Sequence, residues 1–424
     1  MKRIITTLLT VLISHAITYG QWNLARFDGL NQFSLVSTPT ESNAFVIGSE
    51  PVAGNYFLLR TNDGGLSWDS LSISGPDENF QVYDMHFRSP GKGVLAGYRA
   101  THQALAKTDD GGNTWVDITP DPGSLSPMRA AYFVDDDLGF ASTYDGNFYQ
   151  TSNGGTSWTT TTSELYVSDI NFLDAETGFI AGHDGLTQMA VVLKTTNGGD
   201  SWDEVLSDSD PDLFVSDFDQ IDVVDANVIF TNMSYQNSIY KSEDGGATWD
   251  LFEPVEFYSI SDLDFTSATH GHVLSNEGSI WSTADGCATW TMEYTTEWGM
   301  YGPSIYLYDL ALVGETGFVA GSNGLIKKYT AGVTAQDEIR AEGNFSIYPN
   351  PVSSLSELVI NTPGADSGYE VRILSSGGQL VYSHKENSGG TSLRLNGLSL
   401  NAGTYTVVLT SKNSVDVKRI IVMQ

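Results

Sequence analysis

Four aspartates occupy equivalent places in a repeating sequence: Asp84 in "YDMHF", Asp169 in "SDINF", Asp262 in "SDLDF" and Asp309 in "YDLAL". Two carboxyl groups flanking a glycosidic bond, one protonated and one ionised, hydrolyse it. Carboxylates gathered around one opening hold a hard cation such as Ca2+. Under a third reading, each is a solvated or locally hydrogen-bonded residue at the start of a strand, recurring because its repeat recurs. The sequence leaves all three open. It also leaves open the stretch "EYTTEWGMYGPSIYLY" (Glu293–Tyr308). There Trp298 and Tyr301 either form a stacking platform for a sugar or peptide or pack onto the neighbouring element.

Other chemistries are poorly served. Cys287 is the only cysteine, so no intramolecular disulfide and no cysteine zinc site exist. The one close histidine pair, His270 and His272, is too few ligands for zinc. No cofactor is implied. The net charge of −32 is concentrated between Gln21 and Glu342, where 12 basic and 47 acidic residues give −35. A body so charged repels phosphate backbones, so nucleic acid is not a partner.

The elements that must position these residues are written in a second repeat. "TNDGGLSW" at Thr61 returns in near copies at Thr108, Thr151, Thr195, Ser242 and Thr283, at intervals of 47, 43, 44, 47 and 41 residues. Each copy supplies a turn. Its glycines take positive φ without steric cost. Its Asp or Asn (Asp63, Asp110, Asn153, Asn197, Asp244, Asp285) bonds backbone amides within the turn. Its closing tryptophan (Trp68, Trp115, Trp158, Trp202, Trp249, Trp290) buries a ring between neighbouring sheets while the indole N–H finds a partner. Cys287 stands where the other five copies have their second glycine, and reads as drift within a tight turn.

Ahead of the box comes a "GFIAG"-like strand and, before it, an apolar strand, which in four units carries the aspartate. A period in the forties built from four short strands predicts one propeller blade per repeat. Six boxes give six blades. "YDLALVGETGFVAGSNGLIKKYT" ends at Thr330 without a box and supplies three more strands. "QWNLARF" from Gln21 supplies the fourth, with Trp22 placed like a box tryptophan. Closing the ring with strands from both ends removes exposed edges, so a seven-bladed, all-β propeller is expected over 21–330, with six blades as the alternative. The aspartates then lie near the central channel, on the face opposite the boxes.

The motif (S/T)-x-(D/N)-x-G-x-(S/T)-W resembles the Asp-box, or BNR repeat, of sialidases, sortilin-type receptors and xyloglucan-cleaving endoglucanases. With "D-φ-x-F" and "G-F-x-x-G" added, the unit is most similar to the photosystem II assembly/stability factor family. The resemblance implies the propeller and leaves function open, because enzymes and non-enzymes share it. A sialidase would need three arginines on separate blades. Here the propeller arginines are Arg26, Arg60, Arg88, Arg99 and Arg129, and none lies between Arg129 and Arg340.

The ends concern export. Lys2, Arg3 and the apolar run Ile4–Ile13 form the pattern of a secretory signal peptide over 1–20, too short to anchor in a bilayer. No other stretch reaches transmembrane length. A polar linker is expected over 331–343. From Asn344, alternating apolar residues and Gly/Asn turns predict a small antiparallel, Ig-like β-sandwich over 344–424. Its Tyr348-Pro349-Asn350-Pro351, Gly378-Gln379-Leu380-Val381, Ala402-Gly403-Thr404-Tyr405 and "VKRIIV" ending resemble the C-terminal sorting domain of type IX secretion substrates in Bacteroidetes. That resemblance implies the type IX machinery as a partner and a secreted or surface-attached product, a setting in which the photosystem role does not carry over. The sequence-based reading is therefore a monomeric, non-catalytic module binding a protein or glycan, with a polysaccharide hydrolase as the alternative.

Overall fold

A computed structural model describes the chain over 21–331, apart from 28–30, 51–53, 74–79, 100–101, 122–123, 163–164, 209–216, 297, 300–301 and 304, and in the C-terminal strands between 346 and 423. The expected signal segment and most of the expected linker lie outside the described residues.

Seven four-stranded antiparallel sheets follow one another along 21–330. Their innermost strands are Gln32–Thr40, Phe80–Ser89, Met128–Phe133, Leu165–Phe172, Phe218–Val223, Ile260–Phe265 and Leu307–Val313, which define blades 1 to 7. Each innermost strand touches the next, and that of blade 7 touches that of blade 1, so the ring is closed. Six blades take all four strands from one stretch of chain. Blade 7 completes itself with Gln21–Phe27, which pairs antiparallel with Leu325–Thr330 and covers that strand's open edge.

The closure is tightly packed. Trp22 is buried against Leu274 and Ile280 of blade 6, and its indole N–H donates to Glu293 Oε2 at 2.9 Å. His272 lies edge-on to the Trp22 ring and within 3.2 Å of the same carboxylate. The ordinary box tryptophans Trp158 and Trp249 likewise donate to the preceding blade, at Ile118 O and Val205 O. Trp22 is thus a box tryptophan in its packing. The partner expected for every box indole is not found throughout: Trp68, Trp115 and Trp290 meet no protein acceptor among the described residues.

Each box is a hairpin turn between the third and fourth strands. In the second, Thr108 Oγ1 donates to Asp110 Oδ1 and accepts the N–H groups of Asp110 and Gly112, while Asp110 accepts both the N–H and the hydroxyl of Thr114. Its glycines have φ of +69° and +87°. At Gly112 a Cβ would stand 2.4 Å from Cδ2 of Leu58 of the preceding blade, so a side chain there would need that leucine to shift as well as tolerating the positive φ. Cys287 adopts φ +77° at the same place in its box, and burial pushes its thiol up to about 12.

A β-bulge recurs in every innermost strand. Register slips across Ser34, Tyr83, Arg129, Ser168, Asp219, Ser261 and Tyr308, one residue per blade. The extra residue bends the strand and re-aims side chains. It also explains the second glycine of "GFIAG": a Cβ on Gly182 would lie 2.1 Å from Tyr166 O, at the bulge.

The C-terminal unit has a three-stranded sheet (Ser346–Tyr348, Leu358–Asn361, Ser392–Leu395) and a five-stranded sheet (Val352–Ser353, Tyr369–Ser375, Leu380–Glu386, Gly403–Ser411, Val415–Met423). Leu358, Ile360 and Leu395 of the first pack with Val371, Ile373, Val407 and Ile420 of the second. This is a sandwich core. It is not wholly antiparallel, because Val352–Ser353 runs parallel to Val415–Met423.

Candidate functional site

The four aspartates lie within the innermost strands, not ahead of them, each directly after its bulge. An innermost strand is the edge of its sheet, and its outward N–H groups need acceptors. The aspartates supply them across the blade boundary. Asp84 Oδ2 accepts Ala131 N at 2.7 Å, Asp169 Oδ2 accepts Ile221 N at 2.9 Å, Asp262 Oδ2 accepts Leu310 N at 2.5 Å and Asp309 Oδ2 accepts Val36 N at 2.6 Å. In Asp84, Asp169 and Asp262 the second oxygen accepts the N–H of the following residue. The hydrogen bonding expected of a strand-start residue is present, but it runs between blades rather than locally.

A second tier lies two residues further along. Asp222 Oδ2 accepts Phe265 N, Asp264 Oδ2 accepts Leu312 N, and Ser37 Oγ accepts Phe87 N. Sequence reasoning singled out none of these three. The strand period of two was the available signal: in "SDLDF" it places Asp262 and Asp264 on one side.

Asp169, Asp222, Asp262 and Asp264 line a central cavity of about 350 Å³. Burial raises their carboxyl groups, and neighbouring carboxylates raise them further. Asp84 and Asp222 are pushed up to about 7, Asp169 and Asp309 to about 6, and Asp262 and Asp264 well above the usual range. Several are therefore neutral near pH 7, which limits repulsion within the channel. Among the described residues no group of three or more His, Cys, Asp or Glu side chains is arranged to hold a metal ion.

The channel mouth opposite the boxes carries a different surface. There a second cavity of about 370 Å³ is lined by Arg129, Asp217, Asp219, Ser234, Tyr235, Ile260, Ser261 and Asn276. Arg129, the bulge residue of blade 3, reaches over blade 4 to Asp217 Oδ2 of blade 5 at 2.7 Å. Ser168 of the intervening blade donates to Asp217 Oδ1. Burial opposes ionisation of Asp217, but His183, Arg129 and Ser168 together hold its carboxyl below the usual range. Asp219 is raised, by burial and then by the Asp217 charge. Trp298 lies in a short hairpin, Trp298–Gly299 with Gly302–Pro303; Tyr301 lies outside the described residues.

Fold and sites together define an Asp-box propeller joined to an export domain. Residues 346–423 match the secretion system C-terminal sorting domain family, which directs type IX export to the cell surface or beyond. Residues 15–168 match the photosynthesis system II assembly factor YCF48 family. The chain is 32% identical over 127 residues to the photosystem II assembly lipoprotein Ycf48 of Synechococcus sp. (strain CC9902), covering 29% of this chain and 34% of the relative. It is 26% identical to that of Prochlorococcus marinus (strain MIT 9312), covering 37% and 49%. The chain thus spans a third to a half of the curated relatives it matches. A solved structure, YCF48 bound to D1 peptide, superposes with a TM-score of 0.56 at 16% identity, covering 74% of this chain and 98% of that one. At that identity the likeness concerns the fold. No helix among the described residues is long and apolar enough to cross a membrane.

Proposed function

We propose that this chain is a type IX cargo whose propeller binds a protein at the channel mouth, without catalysis, outside the cell or on its surface. One observation carries the reading. The six exposed tyrosines among the described propeller residues, Tyr83, Tyr144, Tyr235, Tyr258, Tyr306 and Tyr308, all belong to bulges or loops of the mouth face, and none to the box face. Exposed tyrosines clustered on one face are the composition of a contact surface. The peptide complex of a propeller of the same fold is consistent with it.

The hydrolase alternative draws on the channel carboxylates. Their oxygens are engaged by backbone N–H groups, so a substrate would have to displace the bonds that join blades. Two experiments test the proposal. In a host lacking a functional type IX translocon the chain should be retained inside the cell, whereas in the intact host it should reach the surface or medium. Purified protein on a polysaccharide array should release no reducing sugar; release abolished by Asp169→Asn would establish the hydrolase instead.

A further inference from the structure

Resting on that reading, we propose that the mouth takes a flexible, lysine- or arginine-rich segment of its protein partner, with cationic side chains laid across Tyr144 and Tyr235 and directed at Asp219.

Aromatic area is the first support. Tyr235 is 82% exposed and Tyr144 51% exposed. Tyr235 is held at φ +62°, a left-handed conformation that costs a non-glycine residue energy. Tyr144 stands edge-on to Tyr83, so two rings from blades 2 and 3 form one platform. The site already shows the contact it would make with a ligand: the Arg129 guanidinium lies 5.5 Å from the Tyr144 ring centroid. A second cation can use the remaining aromatic area in the same way.

Charge sets the sign of the partner. Arg129 pairs with Asp217 and its charge also acts on Asp219, so two carboxyl groups on the wall of the same cavity share one arginine. The surrounding chain carries −35. An acidic segment would meet repulsion here, whereas a basic one is steered in and held. A bound cation would also lower the Asp219 carboxyl from its raised position.

The test uses the purified full chain and a fluorescein-labelled lysine-rich decapeptide, with the glutamate-rich counterpart and a cello-oligosaccharide as comparisons, read by fluorescence anisotropy. The lysine peptide should bind, and affinity should fall steeply with added salt. Tyr144→Ala and Tyr235→Ala should each weaken it about threefold. Asp219→Asn should weaken it about fivefold and flatten the salt dependence. Both tyrosines are exposed, so an unchanged melting temperature in these variants certifies folding. Lysine-peptide binding that ignores all three substitutions would overturn the proposed site. Preference for the glutamate peptide, lost in Tyr144→Ala, would overturn the cationic partner while leaving protein binding at the mouth intact. Binding of the oligosaccharide and of neither peptide would remove both readings.

Discussion

The carboxyl groups of Asp262 and Asp309 face each other electrostatically across the boundary between blades 6 and 7. Burial, and then the Asp309 charge, raises the Asp262 carboxyl well above the ordinary range. Each also accepts a backbone N–H from the next blade around the ring. The channel is thus joined by groups whose protonation the fold itself sets.

Stability should therefore depend on pH in an unusual direction. Asp84, Asp169, Asp222 and Asp309 titrate near 6 to 7 when folded, against about 3.9 in an unfolded chain. Between those values the native state binds more protons, so stability falls as pH rises through that window. The box aspartates act oppositely: Asp110, Asp244 and Asp285 are lowered by their turn hydrogen bonds, and their contribution is lost below about pH 4. The melting temperature should be highest near pH 5 and lower by several degrees at pH 8. A flat or rising profile between pH 5 and 8 would refute the channel electrostatics.

Asp262→Asn and Asp262→Ala separate charge from hydrogen bonding. Asparagine keeps an acceptor and cannot ionise, so Asp262→Asn should cost about 1 kcal/mol or less at pH 8 and shrink the slope. Asp262→Ala leaves Leu310 N and Leu263 N without this acceptor and should cost about 3 kcal/mol. Denaturant titration of the two variants at pH 5 and 8 measures both effects.

Gly182→Ala should be among the most damaging single-methyl changes. The added Cβ would meet Tyr166 O at 2.1 Å, and backbone cannot move aside as a flexible side chain would. A loss of about 3 kcal/mol is expected. Tolerance of this variant in thermal melts would mean that the bulge in blade 4 is not as described.

Ring closure should depend on the strand at the start of the propeller. Trp22→Ala removes a buried ring and its bond to Glu293, at about 3 kcal/mol. It also loosens the cover over Leu325–Thr330, an edge open to other strands. Loss of stability accompanied by dimers or larger species in size-exclusion chromatography is expected. Monomer of unchanged melting temperature would contradict the account.

The fold was legible because it is written many times over. Six boxes fixed the third-to-fourth-strand turns, and the boxless final unit beside "QWNLARF" implied closure by Gln21–Phe27. The site was less legible. Asp84, Asp169, Asp262 and Asp309 stood out because they recur, yet recurrence reports what four blade boundaries share, namely an acceptor for the next blade's N–H. What distinguishes one propeller from another does not recur. Arg129 and Asp219 replace the repeated residue at single bulges, and the pairing of Arg129 with Asp217 crosses an intervening blade. Separation of 88 residues hides that pair from any local pattern. The one-sided distribution of tyrosines appears only once strand direction assigns each loop to a face.

The most direct test of the central claim, protein binding at the channel mouth, is site-specific photo-crosslinking on producing cells. A benzophenone amino acid would replace Tyr144 on the mouth face or Leu66 in a box turn, both strongly exposed. The account predicts a discrete protein adduct from position 144 and none from position 66. An adduct from position 66 alone, or the same adducts from both, would contradict it.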